Sequence, residues 1–113
     1  MQARERRVVW LDERIQTPPF SLFARVEIGV LLRCLQGGES LGMPHSRPMP
    51  SIGPRVHELR VRDVDVSWRI IYRLDPDAII VGAVFAKKTE RTPQSVIDRC
   101  RRRFRAYTRM MEE

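Results

Sequence analysis

Residues 55–74, RVHELRVRDVDVSWRIIYRL, decide the fold. Two alternating runs, Arg55–Arg62 and Val66–Leu74, flank an Asp63-Val64-Asp65 turn and read as a β-hairpin. Side chains alternate across a strand. On the first run His57, Leu59 and Val61 therefore share one face, and Glu58, Arg60 and Arg62 the other. On the second, Trp68, Ile70 and Tyr72 oppose Arg69, Ile71 and Arg73. The register that keeps apolar residues together sets Leu59 beside Ile70 and Val61 beside Trp68. It also places Arg60 directly across from Arg69. Like charges so opposed destabilise a sheet by a few tenths to about 1 kcal/mol. Either a bound anion compensates them, or Glu58 and Glu90 tie them into a solvated salt-bridge network. Sequence physics alone leaves both explanations open.

Beyond the hairpin, Asp75-Pro76-Asp77 makes the next turn, and Ala78–Ala86 is apolar on both faces, as an interior strand should be. Unbroken alternation from that turn sets Gly82 beside Arg69, over a small-residue floor of Ala78, Gly82 and Ala86. The same parity carries Lys88 onto the arginine face and sends Lys87 to the opposite one. Upstream, Arg7–Leu11 is a short strand, and Thr17 with Pro18 reads as a helix start. Phe20, Phe23, Val26, Val30, Leu31, Cys34 and Leu35 keep helical spacing up to Gly37-Gly38. Residues 39–54 carry Pro44, Pro48, Pro50 and Pro54, and read as a surface loop pinned by Leu41, Met43, Met49 and Ile52. Thr92 and Pro93 open a last helix with a buried stripe of Val96, Ile97, Cys100, Phe104 and Tyr107; Arg99, Arg101, Arg102, Arg103 and Arg105 crowd its other faces. The order is β-α-β-β-β-α, an α+β fold in a single domain, 1–113.

The chain has 113 residues and a formal net charge of +7, which points to a polyanionic partner. Lys87 and Lys88 are its only lysines, so nearly all the positive charge is arginine, the side chain suited to bidentate phosphate contacts. No apolar run approaches the roughly 18–20 residues of a membrane helix, and the N-terminus lacks the apolar core of a signal peptide. Cys34 and Cys100 fall in helical patterns without a metal-ligand partner, as buried reduced thiols of a cytoplasmic protein do. No zinc motif, phosphate loop or nucleophilic triad is visible. Trp10 and Trp68 sit among apolar strand residues and are expected in the core.

Four segments carry a resemblance: PMPSIGP at 48–54, Glu58-Leu59-Arg60, Trp68-Arg69-Ile70-Ile71-Tyr72, and Phe85-Ala86-Lys87-Lys88-Thr89 with Thr92-Pro93. At this spacing the chain resembles the HigB-like toxins, phage-derived host-killer proteins of the RelE/ParE toxin superfamily, over essentially its whole length. The resemblance implies a RelE-like antiparallel sheet of about four strands with helices packed on one face. It implies the toxin of a bacterial type II toxin–antitoxin system, neutralised by a small helix-turn-helix antitoxin. The activity it implies is endoribonuclease cleavage of mRNA, free or on the ribosome, without metal or other cofactor. Arg69 matches the arginine of the RelE-type strand motif and Lys88 the basic residue after the last strand.

Arg69, Lys88, Arg60 and Glu58 are thus the expected catalytic residues, and Arg62, Arg73, Lys87 and Arg55 the expected RNA contacts. RelE toxins carry a tyrosine just after the lysine pair; here Thr89 and Glu90 stand instead, and Tyr107 is deep in a helix stripe. Glu58, on the arginine face, is the leading general base; His57 points the wrong way, and His45 on the loop is the remaining option. The alternative function is a ParE-like inhibitor that poisons DNA gyrase by protein contact. Neither reading involves a membrane.

Overall fold

A computed structural model of the chain describes residues 5–12, 20–88 and 90–112. Seven elements follow in order: β1 (Arg7–Trp10), α1 (Leu22–Gln36), β2 (Ser46–Pro48), β3 (Val56–Arg62), β4 (Ser67–Leu74), β5 (Ala78–Lys87) and α2 (Gln94–Glu112). The five strands form one sheet in the order β1-β5-β4-β3-β2. β3–β4 has the register expected from its apolar pattern, with Leu59 opposite Ile70, Val61 opposite Trp68 and Arg60 opposite Arg69.

Two features alter the expected four-stranded antiparallel sheet. Inside the proline-rich loop, Ser46–Pro48 pairs antiparallel with β3 as an edge strand, where a proline costs no ladder bond. At the other edge β1 runs parallel to β5, so the sheet is mixed. Trp10, at that edge, is 42% exposed and not in the core, whereas Trp68 is buried.

The helices do not share one face; they cover opposite faces. α1 lays Ala24, Ile28, Leu31, Leu32 and Leu35 on Leu59, Val61, Ile70, Tyr72, Ile79 and Val81. α2 lays Val96, Cys100, Phe104 and Tyr107 on Val56, Ile71, Ile80 and Ala83. β5 is apolar on both faces over Ala78–Ala83, and burying both requires a cover on each side. Burial pushes the Cys100 thiol up to about 12, which makes it inert packing. The helix start expected at Thr17 and Pro18 lies outside the described residues. α1 itself is capped by Ser21, whose Oγ accepts from Ala24 N at 3.0 Å. Its apolar residues form two stripes, and Leu22, Phe23, Val26 and Val30 stay exposed on the second. Of the two cysteines, Cys100 is buried and Cys34 half-buried.

A bulge in β5 sets the arrangement of the charged residues. Ile71 pairs with Ala83 but Tyr72 pairs with Val81, which leaves Gly82 as the extra residue. A Cβ at Gly82 would stand 2.8 Å from Phe104 Cζ and 3.2 Å from Cys100 Sγ, so α2 packs down into the space of the missing side chain. Every residue after Gly82 consequently lies on the face opposite to that expected from simple alternation.

Candidate functional site: a cationic cleft over a buried carboxylate

Glu58, Arg60, Arg69 and Lys87 meet where α2 stops covering its face of the sheet. Three of these positions follow from strand alternation, the fourth from the bulge. Arg69 stands across from Phe85, not beside Gly82, and its side chain is buried rather than solvent-facing. Downstream of the bulge, Ala86 packs against the α1-side core, and the residue sharing the face of Arg69 is Lys87, not Lys88. Lys88 leaves the strand exposed, at the rim.

Glu58 is fully buried, and its oxygens are engaged. Oε1 lies 3.1 Å from Arg47 Nε, 3.3 Å from Arg69 Nε and 4.0 Å from Lys87 Nζ. Oε2 accepts a hydrogen bond from the Thr92 hydroxyl at 2.9 Å, so the residue expected to cap α2 ties that helix's start to the carboxylate. The expected pairing of Arg69 with Glu58 is therefore real, but buried rather than solvated. Buried charges of this kind persist only when paired and hydrogen-bonded.

The pairing is incomplete. Arg69 Nε, though 3.3 Å from Glu58 Oε1, is off the hydrogen-bond axis and is a buried donor without an acceptor. Arg69 Nη1 donates to Ser67 Oγ and, at 3.3 Å, to the Trp68 carbonyl. Arg60, directly across, points a guanidinium nitrogen at Met43 Sδ 3.6 Å away and has no carboxylate partner among the described residues. Burial first, then the adjacent Arg60, lowers the pKa of Arg69. Burial also lowers that of Lys87, with Arg47, Arg69 and Arg60 acting in the same direction and Glu58 against it.

Above this floor opens a cleft of about 480 Å³ lined by Arg47, Arg60, Ser67, Arg69, Lys87, Lys88 and Glu90. Five cations thus surround two carboxylates, Glu58 beneath and Glu90 at the rim. A second hollow, about 320 Å³, adjoins it and shares Arg60, Ser67 and Arg69; its other walls include Glu27, His45 and Arg62. Arginine forks, a lysine and a hydroxyl converging on a concave surface suit a phosphodiester, whose oxygens accept several donors at once.

Of the eight residues singled out in the sequence, Glu58, Arg60, Arg69, Lys87 and Lys88 come together and Arg62 borders the adjoining hollow. Arg55 and Arg73 do not join them. Arg73 makes a two-pronged bond to Asp75 at 2.7 Å for each prong, donates to Thr108 Oγ1 at 2.8 Å, and lies over Phe104 and Tyr107. Arg55, at φ +62°, lies 3.5 Å from the same Asp75. Both brace the far end of the α2 face. Arg47, Ser67 and Thr92 were missed. Arg47 becomes visible only once Ser46–Pro48 is recognised as a strand, since that pairing sets it opposite Glu58.

Residues 19–105 match the family model described as phage derived protein Gp49-like (DUF891). No curated protein matches the chain, and neither does any solved structure.

Proposed function

The chain belongs to the Gp49-like family of phage-derived proteins, a family associated with RelE/HigB-like toxins, and on that premise we propose that it is a HigB-like toxin that cleaves mRNA. In this reading it is the toxin half of a type II toxin–antitoxin pair, blocks translation in the cytoplasm, and is neutralised by a helix-turn-helix antitoxin. The observation that carries it is the cleft: buried Glu58 holds Arg47, Arg69 and Lys87 in place, and Arg60 has no carboxylate partner among the described residues.

The chemistry follows from that arrangement. In RNA cleavage the 2′-hydroxyl attacks the adjacent phosphorus and the 5′-oxygen leaves. Negative charge grows on the phosphorane oxygens, where Arg60 and Arg69 stand as preorganised donors. Lys87 is the cation placed to protonate the leaving oxygen, since burial lowers its pKa and eases release of the proton. Glu58, with both oxygens engaged, positions these cations rather than acting as base. Lys88 and Arg62 steer the strand toward the cleft.

The test is cleavage of mRNA by the purified protein, with and without ribosomes and with a chelator present. Lys87→Ala should lose roughly 10²-fold or more in single-turnover rate, the scale of one lost acid–base or electrostatic group. Lys88→Ala should lose markedly less. Equal losses would defeat the assignment of Lys87 as the group at the leaving oxygen. The exposed apolar stripe Leu22, Phe23, Val26 and Val30 favours a second reading, a ParE-like toxin that binds DNA gyrase. Intact RNA together with an induced DNA-damage reporter would select it.

A further inference from the structure

Resting on the nuclease reading above, we infer that His45 is the general base that takes the proton of the RNA 2′-hydroxyl. His45 stands one residue before β2, and its carbonyl accepts a hydrogen bond from Arg60 N at 2.8 Å. That bond extends the β2–β3 pairing by one step, so His45, Arg60 and Arg69 fall in a row across the sheet. His45 is exposed and lines the hollow that contains Arg60, Ser67 and Arg69.

The two cavities make the assignment specific. Both contain Arg60, Ser67 and Arg69; His45 is found only in one, and Lys87 and Lys88 only in the other. A phosphate gripped by the shared residues therefore has an imidazole on one side and lysines on the other. In-line displacement at phosphorus needs that polarity, because the attacking and leaving oxygens lie on opposite sides. The step balances. A ring nitrogen of His45 accepts the 2′-hydroxyl proton as the 2′-oxygen bonds to phosphorus. The bond from phosphorus to the 5′-oxygen breaks, and the Lys87 ammonium supplies the proton to that oxygen. The products are a 2′,3′-cyclic phosphate and a 5′-hydroxyl, with no metal ion and no redox partner consumed. The charged groups around His45 are Glu27 from α1, Arg60 and Arg62 from β3, and Arg69 from β4.

The deciding experiment changes the leaving group. In a target RNA, free or ribosome-bound, the 5′-oxygen at the mapped cleavage site is replaced by sulfur, which departs without a proton. Single-turnover rates are then measured across pH for the wild type, His45→Gln and Lys87→Ala, with folding checked by circular dichroism. His45→Gln should be slower by about 10²–10⁴-fold on both substrates and should lose the acidic limb of the pH–rate profile. Lys87→Ala should be slow on the normal RNA and recover with sulfur. If His45→Gln cleaves normal RNA at the wild-type rate, or is rescued by sulfur, His45 is not the base although the nuclease reading stands. A wild-type protein that leaves the RNA intact overturns both.

Discussion

The two faces of the sheet are built from the same strands but serve opposite ends. Toward α1, the strands present Leu59, Val61, Trp68, Ile70, Tyr72, Ile79 and Val81, a continuous apolar surface. Its few polar groups pack against one another: the Tyr72 hydroxyl pairs with Ser46 Oγ at 2.6 Å, and the His57 ring stacks on Tyr72, its Nδ1 buried without a hydrogen-bond partner among the described residues. Toward α2 the face divides. Ile71, Ile80 and Ala83 are covered by the helix, and past the helix start the same rows continue as Glu58, Arg60, Arg69 and Lys87. One face is apolar core along its length; the other adds to its core under α2 a buried charge network whose donors exceed its acceptors. Alternation lets a single hairpin supply both.

That contrast breaks most sharply at two adjacent residues, Glu58 and Leu59. Leu59→Ala opens a cavity in the α1-side core and should cost about 2–5 kcal/mol. Glu58→Ala, one position along but on the other face, should cost about 3–5 kcal/mol in urea unfolding, because it leaves Arg69 and Lys87 buried without their carboxylate. A loss within about 0.5 kcal/mol, the surface norm, would show the charged face to be a solvated one after all. It also follows that Arg69 cannot be removed without disturbing stability.

A smaller effect is expected at the bulge. Gly82→Ala pushes a methyl against Phe104 and Cys100 and should cost about 1–3 kcal/mol by the same measurement, as overpacking does. A neutral result would mean that α2 is not seated in the bulge.

The smallest effect should come from Asp63, which clamps α1 to the β3–β4 turn. Its carboxylate accepts from Ser21 Oγ, from Ser21 N at 3.0 Å, from Val64 N at 2.8 Å and from Trp68 Nε1 at 3.1 Å. These bonds, led by the Ser21 hydroxyl, hold the Asp63 carboxyl well below the usual carboxylate range. The folded-state pKa is depressed, so the stabilisation is present at neutral pH and is lost as pH falls below about 4, the unfolded value. The urea midpoint of the wild type should fall between pH 5 and 2, and Asp63→Asn should fall less. Parallel slopes would remove the clamp.

The hairpin was legible in the sequence because its information is local: only one register keeps Leu59, Val61, Trp68 and Ile70 together, and Arg60 across from Arg69 follows from it. The fate of the lysine pair was not legible, because the bulge at Gly82 answers to Phe104, more than twenty residues away. Parity counted through an unseen bulge inverts, which is why Lys88 was expected where Lys87 stands. The opposed placement of the helices was half visible in β5, apolar on both faces. β2 was hidden by the prolines around it, and Arg47 with it. On α1, apolar residues surround so much of the helix that spacing alone could not separate the buried stripe from the exposed one.

The lysine pair also makes the cleft chemically addressable. Of 21 basic residues only Lys87 and Lys88 are lysines, so the chain's side-chain primary amines all lie at this one place. Lys88 is open to solvent, while the Lys87 side chain is 9% exposed beneath it. Reagents that acylate lysine side chains are therefore directed to the mouth of the cleft without any engineering. A lysine crosslink to RNA, ribosome or protein would mark whatever had entered it, and protection of Lys88 from acylation would report occupancy directly.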